Sequence, residues 1–377
     1  MMKNKKLMRC CALLLSLLLV LCVAGCKSEP EAVEESAYEP EVSAAEESAP
    51  EPTEEPTPTP EPTPEPEPEN VSVLTGLPTL TEEAIGKRPV AVMVNNVKAA
   101  LPQYGISAAD VIFEIPVEGD VTRLMALYSD YTQIPDVCSI RSCRYYYPIL
   151  ALGFDAIYVH WGTDMTIANE ILNTLDIDHF EGMNGGVLFG RDQDRRSSGY
   201  ALEHTGMFKG GNLPDLLEST GTRTELKEEY QESVFNFAAY GETVVPQGDD
   251  AASLRVDFGA AYSTFSYDAE THTYLKTHND SKHIDGKTGE QLAFENVLVL
   301  ETDISVRDDH GRKNVNWKGG SDYTGIYLSE GKAQPVTWSK ADEYSPIVIL
   351  DADGNELEMN RGKTYIAITY FDNYTIG

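Results

Sequence analysis

The densest group of side chains that could bind an anion or transfer a proton lies between Glu114 and His204 of this 377-residue chain. Arg141 and Arg144 are three residues apart at the predicted start of a helix, so both guanidinium groups can face one side. The helix dipole favours an anion at that end, and the guanidinium fork matches carboxylate and phosphate. This spacing therefore predicts an anion-binding site.

Two histidines extend that prediction. His160 and Trp161 end an apolar run, and open α/β sheets bind ligands at the carboxyl ends of their strands. Arg191 and His204 follow in a segment broken by glycines. Either histidine could donate hydrogen bonds to a ligand or act as a general base. The predicted ligand-binding residues are Arg141, Arg144, His160, Trp161, Arg191 and His204.

The same side chains also have a purely structural interpretation. The arginines could pair with Glu114, Glu118 or Asp155, and His160 could be a satisfied core residue, because ion-pair networks are common in folded proteins. The clustering of these residues in one half of the chain favours the functional interpretation.

Cys138 and Cys143 lie on either side of Arg141, and three interpretations of them stay open. They could close a short disulfide loop, pack as two free thiols in the core, or include a catalytic cysteine. The neighbouring sequence holds no histidine that would activate a nucleophilic thiol.

No metal site and no cofactor is predicted. His272, His278 and His283 lack the tight paired spacing of structural zinc sites. Residues 351–355 resemble the start of a calcium-binding loop, but Glu356 and Gly362 stand where that loop needs a glycine and a bidentate glutamate. A hairpin turn accounts better for this stretch.

The pattern of apolar residues predicts an α+β fold. Buried strands are predicted at residues 90–94 and 155–161, and a hairpin at residues 111–117 and 122–128, with Pro116 favouring a sheet edge. Helices are predicted over residues 145–152, capped by Ser142, and 165–175. Short strands and hairpin turns dominate later. We expect an N-terminal mixed α/β domain, residues 71–240, and a mostly β C-terminal domain, residues 254–377.

The first 25 residues have the pattern of a lipoprotein signal peptide. A basic start precedes an apolar run over residues 10–23, which is short for a membrane span of about 20 apolar residues. Small residues then lead to Cys26, an arrangement that looks like a bacterial lipobox. Lipidation of Cys26, with palmitate among the acyl chains, would anchor the protein to the cell membrane with its body on the outer face.

Residues 26–70 are predicted to be a disordered tether that carries the body away from the membrane. From residue 28 to residue 70 there are 15 glutamates and 11 prolines without a lysine or arginine, and such a composition cannot bury a core. Of the 61 acidic and 29 basic residues of the chain, 46 and 24 follow residue 70, so the body carries a net charge near −22. This charge argues against nucleic acid as a partner.

Four stretches resemble the YerB-like family of bacterial lipoproteins. They are residues 88–93, residues 113–119 with Thr122 and Arg123, residues 139–144, and residues 155–162. Residues 267–268, 296–299, 338–340, 353–354 and 362–364 resemble the C-terminal region of that family. The resemblance covers most of residues 86–371 and implies a Gram-positive cell envelope, but it supplies no reaction. Cys138 and Cys143 depart from the small residues usual in the family, which argues against a redox role.

These observations lead us to expect a membrane-anchored, extracytoplasmic lipoprotein. Its partners would be the membrane, through the lipid, and an anionic or carboxylated cell-wall component or an envelope protein. A hydrolase or transferase that acts on cell-wall polymers with a histidine base is the alternative, and a protein-binding scaffold is a further one. No nucleophile motif, metal motif or phosphate-binding loop favours the enzyme.

Overall fold

A ten-stranded sheet runs through the middle of the structure, a computed structural model that describes residues 68–377. The signal peptide, Cys26 and the tether up to residue 67 lie outside the described residues, and the predictions made for them stay predictions. No helix within residues 68–377 is long and apolar enough to cross a membrane.

Strands are the commonest regular elements of the described chain, which also has four α-helices. The strands are β1 (Val90–Asn95), β2 (Val111–Pro116), β3 (Thr122–Tyr128), β4 (Val137–Cys138), β5 (Ile157–His160), β6 (His179–Glu181), β7 (Phe189–Arg191), β8 (Gly206–Phe208), β9 (Asn236–Phe237), β10 (Ser253–Asp257), β11 (Tyr262–Asp268), β12 (Thr273–His278), β13 (Ser281–Lys282), β14 (Ala293–Phe294), β15 (Asn296–Glu301), β16 (Ile304–Val306), β17 (Lys313–Val315), β18 (Gly319–Ser329), β19 (Lys332–Ser339), β20 (Val348–Leu350), β21 (Glu358–Met359), β22 (Thr364–Thr369) and β23 (Tyr374–Ile376). The helices are α1 (Tyr146–Leu152), α2 (Ile167–Thr174), α3 (Gln193–Ser197) and α4 (Leu213–Thr220).

The large sheet has the strand order β20-β19-β18-β15-β22-β2-β3-β1-β5-β6. Strands β15, β22, β2, β1, β5 and β6 run parallel to one another, while β3 and β18 run against their neighbours. A second sheet has the order β13-β12-β11-β10-β23, with β14 paired to β12. A three-stranded sheet, β4-β8-β7, and two smaller pairs complete the structure.

Apolar side chains cover both faces of the large sheet. On one face, Tyr146 and Tyr147 of α1 pack against Phe113 of β2. On the other face, Phe265 and Tyr274 of the second sheet belong to a core that also holds Val92. Every residue of β1, β2 and β3 is buried. Their continuous apolar runs are explained by this burial on both faces.

The strand and helix predictions near β1, β5, α1 and α2 agree with the structure to within two or three residues, but two details were wrong. Ser142 does not cap α1, since the residue before that helix is Tyr145 and its side chain makes no capping bond. Pro116 does not mark a sheet edge, because β2 lies between β3 and β22. Pairing of β2 with β22 ends at Glu114, so the missing N–H of Pro116 falls beyond that ladder.

The predicted division near residues 241–253 separates two stretches of sequence that share one sheet. Strands β1, β2, β3, β5 and β6 precede it, and β15, β18, β19, β20 and β22 follow it. The described residues also belong to a single compact unit. The two predicted domains are therefore intertwined in space, with β22 paired directly to β2.

Candidate functional site

The candidate site lies at the carboxyl edge of the large sheet, where β1 and β5 separate. Their pairing ends at Val92 and Val159. Beyond that point the segment 139–143 lies between the two strands. The N–H of Arg141 donates to the carbonyl of Met93 at 2.9 Å, and the N–H of Trp161 donates to the carbonyl of Arg141 at 3.0 Å. Arg141 therefore has a fixed backbone at the edge where α/β sheets bind ligands.

Two arginines next to this segment share one carboxylate. Arg144 Nε donates to Glu118 Oε1 at 2.6 Å, and Arg123 Nη2 lies 3.5 Å from Glu118 Oε2. Burial alone would raise the pKa of Glu118, but Arg123 and Arg144 lower it. Burial, with Arg144 close by, lowers the pKa of Arg123 to about 10. The carboxylate of Glu118 thus pairs with two guanidinium groups of the protein itself.

Arg141 is placed differently. Its side chain is 28% exposed, and its positive charge helps to lower the pKa of Arg123. The nearest carboxylate is that of Glu203, with 3.7 Å between Arg141 Nη2 and Glu203 Oε1. That distance is too long for a charge-assisted hydrogen bond, and the guanidinium makes none with any side chain or carbonyl of residues 68–377. The guanidinium donors of Arg141 therefore have no hydrogen-bond acceptor within the described residues.

His204 lies beside the same carboxylate. Its Nε2 is 3.7 Å from Glu203 Oε1, and its Nδ1 is 3.1 Å from Asn95 Nδ2 at the end of β1. Burial lowers the pKa of His204; Arg141 and Arg195 lower it further, while Glu203 opposes them. The imidazole is therefore neutral at pH 7, and the Asn95 contact makes Nδ1 the acceptor and leaves an Nε2–H facing Glu203.

A separate contact joins Trp161, directly after β5, to Arg191, the last residue of β7. The guanidinium carbon of Arg191 lies 4.2 Å from the centre of the Trp161 ring, and Arg191 Nη1 donates to the carbonyl of Leu202 at 2.6 Å. The indole also packs against Gly182 and Gly206. Since Leu202 precedes Glu203, this stacked pair supports the turn that carries Glu203 and His204.

His160 is not open to solvent. It is 1% exposed, with Nδ1 2.9 Å from the carbonyl of Gly162 and 3.3 Å from Glu181 Oε2. Its Nε2 lies 3.1 Å from His179 Nδ1, and the two rings stack. The structure therefore gives His160 protein partners and does not bring it to Arg141 through a side-chain contact.

The two cysteines are free thiols in the structure. Cys138 lies in β4, whereas the backbone of Cys143 forms an isolated β-bridge with Thr163. Burial raises the pKa of each thiol to about 12. The structure thus contains no disulfide between Cys138 and Cys143, and a thiol of such low acidity is poorly suited to nucleophilic catalysis.

Asn95, Arg123 and Glu203 were not predicted from the sequence. For Arg123 a signal existed, because the first residues of an antiparallel strand lie at the carboxyl edge of its parallel neighbours. Asn95 likewise follows directly on an apolar run. Glu203 had no distinguishing signal, since an exposed glutamate in a loop resembles many others.

A second polar cluster was also missed, and it is fully buried between the two larger sheets. Glu114 and Lys276 each have 0% side-chain exposure, with 3.7 Å between Glu114 Oε2 and Lys276 Nζ. Hydrogen bonds close a ring of six side chains: Lys276 to His283 (3.0 Å), His283 to Gln103 (2.8 Å), Gln103 to Asn96 (3.1 Å), Asn96 to Glu114 (2.7 Å), Ser263 to Glu114 (2.6 Å) and Lys276 to Ser263 (2.8 Å).

This buried ring joins the two halves of the chain. Burial alone would raise the pKa of Glu114, but Lys276, His278 and the hydrogen bonds lower it. Burial and Lys276 hold the pKa of His283 well below its ordinary value, so His283 is neutral and can accept from Lys276 through Nδ1. Every donor in the ring meets an acceptor, which is the condition for burying such charges.

The protein is therefore a mixed-sheet α+β protein, whose large sheet is built from both halves of the sequence and has an arginine-rich carboxyl edge. The chain belongs to a family described as a protein of unknown function, DUF3048: residues 74–223 match its N-terminal domain, and residues 254–366 match its C-terminal domain. The predicted membership of the YerB-like family is confirmed.

The chain is similar to “Putative lipoprotein YerB” of Bacillus subtilis (strain 168). The two are 28% identical over 301 residues, which cover 78% of this chain and 85% of the relative. The crystal structure of YerB from Bacillus subtilis has a TM-score of 0.69 and 27% identity to this protein, over 81% of this chain and 99% of that one. The α+β fold class is thereby confirmed, and the relative's name agrees with a lipoprotein.

Proposed function

We propose that this protein is a membrane-anchored lipoprotein that binds an anionic group of a cell-envelope component, a carboxylate or a phosphate, through Arg141 and His204. The carrying observation is the guanidinium of Arg141, which has a fixed backbone and no hydrogen-bonded partner within residues 68–377. Arg144 and Arg123, which pair with Glu118, hold the neighbouring backbone in place.

Charge supports this proposal. The body carries a net charge near −22, which repels anions, so an anion can be held only where cations lie close together, as Arg123, Arg141 and Arg144 do. Among the described residues, the three guanidinium groups of Arg123, Arg141 and Arg144 pair with two carboxylates, those of Glu118 and of Glu203, the latter 3.7 Å from Arg141. A bound anion would neutralise the remaining positive charge and would be held by the planar guanidinium group of Arg141.

The contacts of His204 favour binding over catalysis. Its Nδ1 accepts a hydrogen bond from the amide of Asn95, so the ring proton is on Nε2 and neither nitrogen is free to take a proton as a general base must. His160, the other candidate base, is enclosed by Gly162, His179 and Glu181. A neutral His204 would instead donate its Nε2–H to the ligand.

Anchoring would depend on Cys26. The signal peptide, the lipobox-like residues before Cys26 and the named lipoprotein relative support a lipidated protein on the outer face of the membrane. We expect Cys26→Ala to leave an unprocessed precursor or to release the protein into the medium. Unchanged processing and membrane retention of this variant would contradict the proposed anchor.

Binding is tested with wall fragments solubilised from the producing cells and protein that spans residues 27–377. Wild-type protein should retain anionic fragments, and Arg141→Ala should lose at least about tenfold in affinity, as expected for a charge-assisted pair. Arg255→Ala is the matched control, since Arg255 is 43% exposed and pairs with Asp257 on the second sheet. Equal retention by all three proteins would refute the site.

A further inference from the structure

The carboxylate of Glu203 occupies the place where a ligand anion would meet Arg141. Its Oε1 lies 3.7 Å from Arg141 Nη2 and 3.7 Å from His204 Nε2. One oxygen thus stands between the two groups assigned to the ligand. Both distances exceed those of charge-assisted hydrogen bonds, about 2.7–2.9 Å, so the carboxylate is near the donors without being bonded to them.

The Glu203 side chain is free to leave this position. It is 57% exposed, and its carboxylate accepts no hydrogen bond from residues 68–377. Its backbone, in contrast, is held in the short turn Leu202–His204, where the N–H of His204 donates to Ala201 and the N–H of Thr205 donates to Leu202. Partly exposed ion pairs of this kind contribute little to stability, so a ligand can displace the carboxylate at little cost.

We infer that the Glu203 carboxylate competes with the ligand for Arg141 and His204, and that the ligand is a carboxylate which displaces it. This inference rests on the proposed anion site and adds the ligand class and an internal competitor for the ligand. In the unliganded protein Glu203 screens Arg141 and competes with weakly bound anions. A ligand must compete with a carboxylate that is always present, so ligands with further contacts to the neighbouring surface bind more tightly than simple anions such as acetate.

The surface around Glu203 offers such contacts. Leu202, directly before Glu203, is a large apolar side chain that is 60% exposed. Large apolar side chains that remain in water beside a charged site favour a ligand with an apolar group next to its carboxylate. The ligand class inferred is therefore a carboxylate with a neighbouring apolar substituent.

The test uses acetate, the simplest carboxylate, and protein spanning residues 27–377. Binding is followed by the imidazole resonance of His204, identified among the seven histidines by its loss in His204→Gln. Glu203→Gln removes the competing charge and should bind acetate about two- to fivefold more tightly than wild type, the range that corresponds to an exposed ion pair. The same substitution should lower the pKa of His204, because the charge of Glu203 raises it.

Two further variants separate displacement from general repulsion. Glu232→Gln changes the net charge equally at an exposed position elsewhere and should bind like wild type. Glu203→Asp keeps the charge but shortens its reach, so it should recover part of the gain seen in Glu203→Gln. If Glu203→Asp binds like wild type, the carboxylate only repels anions and the inference is wrong.

The outcome also distinguishes this inference from the proposed function. Equal affinity of wild type and Glu203→Gln, with binding lost in Arg141→Ala, would overturn the role of Glu203 and leave the anion site intact. No resonance shift with acetate in any variant, Glu203→Gln included, would overturn both.

Discussion

The arginines at the carboxyl edge of the large sheet have different roles. Arg123 and Arg144 both form ion pairs with the carboxylate of Glu118, and their side chains are 9% and 13% exposed. Arg141 is more exposed and lacks a bonded partner within the described residues. Spacing in the sequence predicted Arg141 and Arg144 as an equal pair. It could not separate them, because the partner of Arg144 lies 26 residues earlier, in the turn after β2.

Arg144→Ala should therefore destabilise the fold. It leaves Glu118 mostly buried beside a single guanidinium, and we expect the free energy of unfolding to fall by about 2–4 kcal/mol. Urea denaturation measures this loss. The control is Arg255→Ala, whose exposed pair with Asp257 should cost less than about 1 kcal/mol. Similar losses in the two variants would show that the Glu118 pair does not hold the site together.

The buried histidine His278 predicts how stability depends on pH. Burial, with Lys276 nearby, lowers the pKa of His278 from 6.5 to about 4. Between these values the unfolded chain binds a proton that the folded chain does not, so stability is lost as pH falls from about 6.5 towards 4. We expect this histidine to account for about 3 kcal/mol of that loss.

Unfolding curves at pH 7 and pH 4.5 measure the effect. His278→Gln cannot titrate and should flatten the pH dependence of the free energy of unfolding in this window. His310→Gln, at an exposed position, is the control and should retain the wild-type dependence. An unchanged slope in His278→Gln would show that His278 is not held neutral in the fold.

The segment 139–143 is the element that creates the candidate site. Local patterns predicted β1, β5 and α1, because continuous apolar runs and helical spacing are visible in the sequence. They did not predict that residues 139–143 would lie between β1 and β5, since nothing local reveals which strand edges remain unpaired. The position of Arg141 follows from that insertion, with Met93 on one side and Trp161 on the other.

Close packing beside this element gives a further prediction. A Cβ atom at Gly182 would lie 2.6 Å from Cδ2 of Trp161, so Gly182→Ala must displace the indole ring or the turn. We expect a loss of about 1–3 kcal/mol in the free energy of unfolding, typical of overpacking. Gly211→Ala is the control, because a Cβ there would meet open space. Equal stability of both variants, with unchanged tryptophan fluorescence, would contradict the packing described for Trp161.

The whole molecule is held together across the predicted domain boundary. Turn-rich sequence near residues 241–250 predicted a division into two domains, but β2 pairs with β22 about 250 residues later in the chain. The buried ring also takes Asn96, Gln103 and Glu114 from one half and Ser263, Lys276 and His283 from the other. Such distant pairing leaves no signal in a local pattern of residues, so the shared sheet could not be predicted.

Neither half should fold alone. Expressed separately, residues 68–240 would expose β2 and Glu114, and residues 254–377 would expose β22 and Lys276, so unpaired strands and charges would replace the buried ring. We expect poorly dispersed amide resonances from each half and a native-like spectrum from residues 68–377. A folded, cooperatively melting 254–377 fragment would contradict this account.

The most direct test of the anion site measures stability and binding in the same protein, Arg141→Ala. We expect a free energy of unfolding within about 0.5 kcal/mol of wild type, because the Arg141 side chain makes no hydrogen bond within the described residues, together with loss of acetate binding at His204. Arg144→Ala, measured alongside, should be clearly less stable. A drop of several kcal/mol in Arg141→Ala, or acetate binding equal to that of wild type, would show that Arg141 serves the fold and not a ligand.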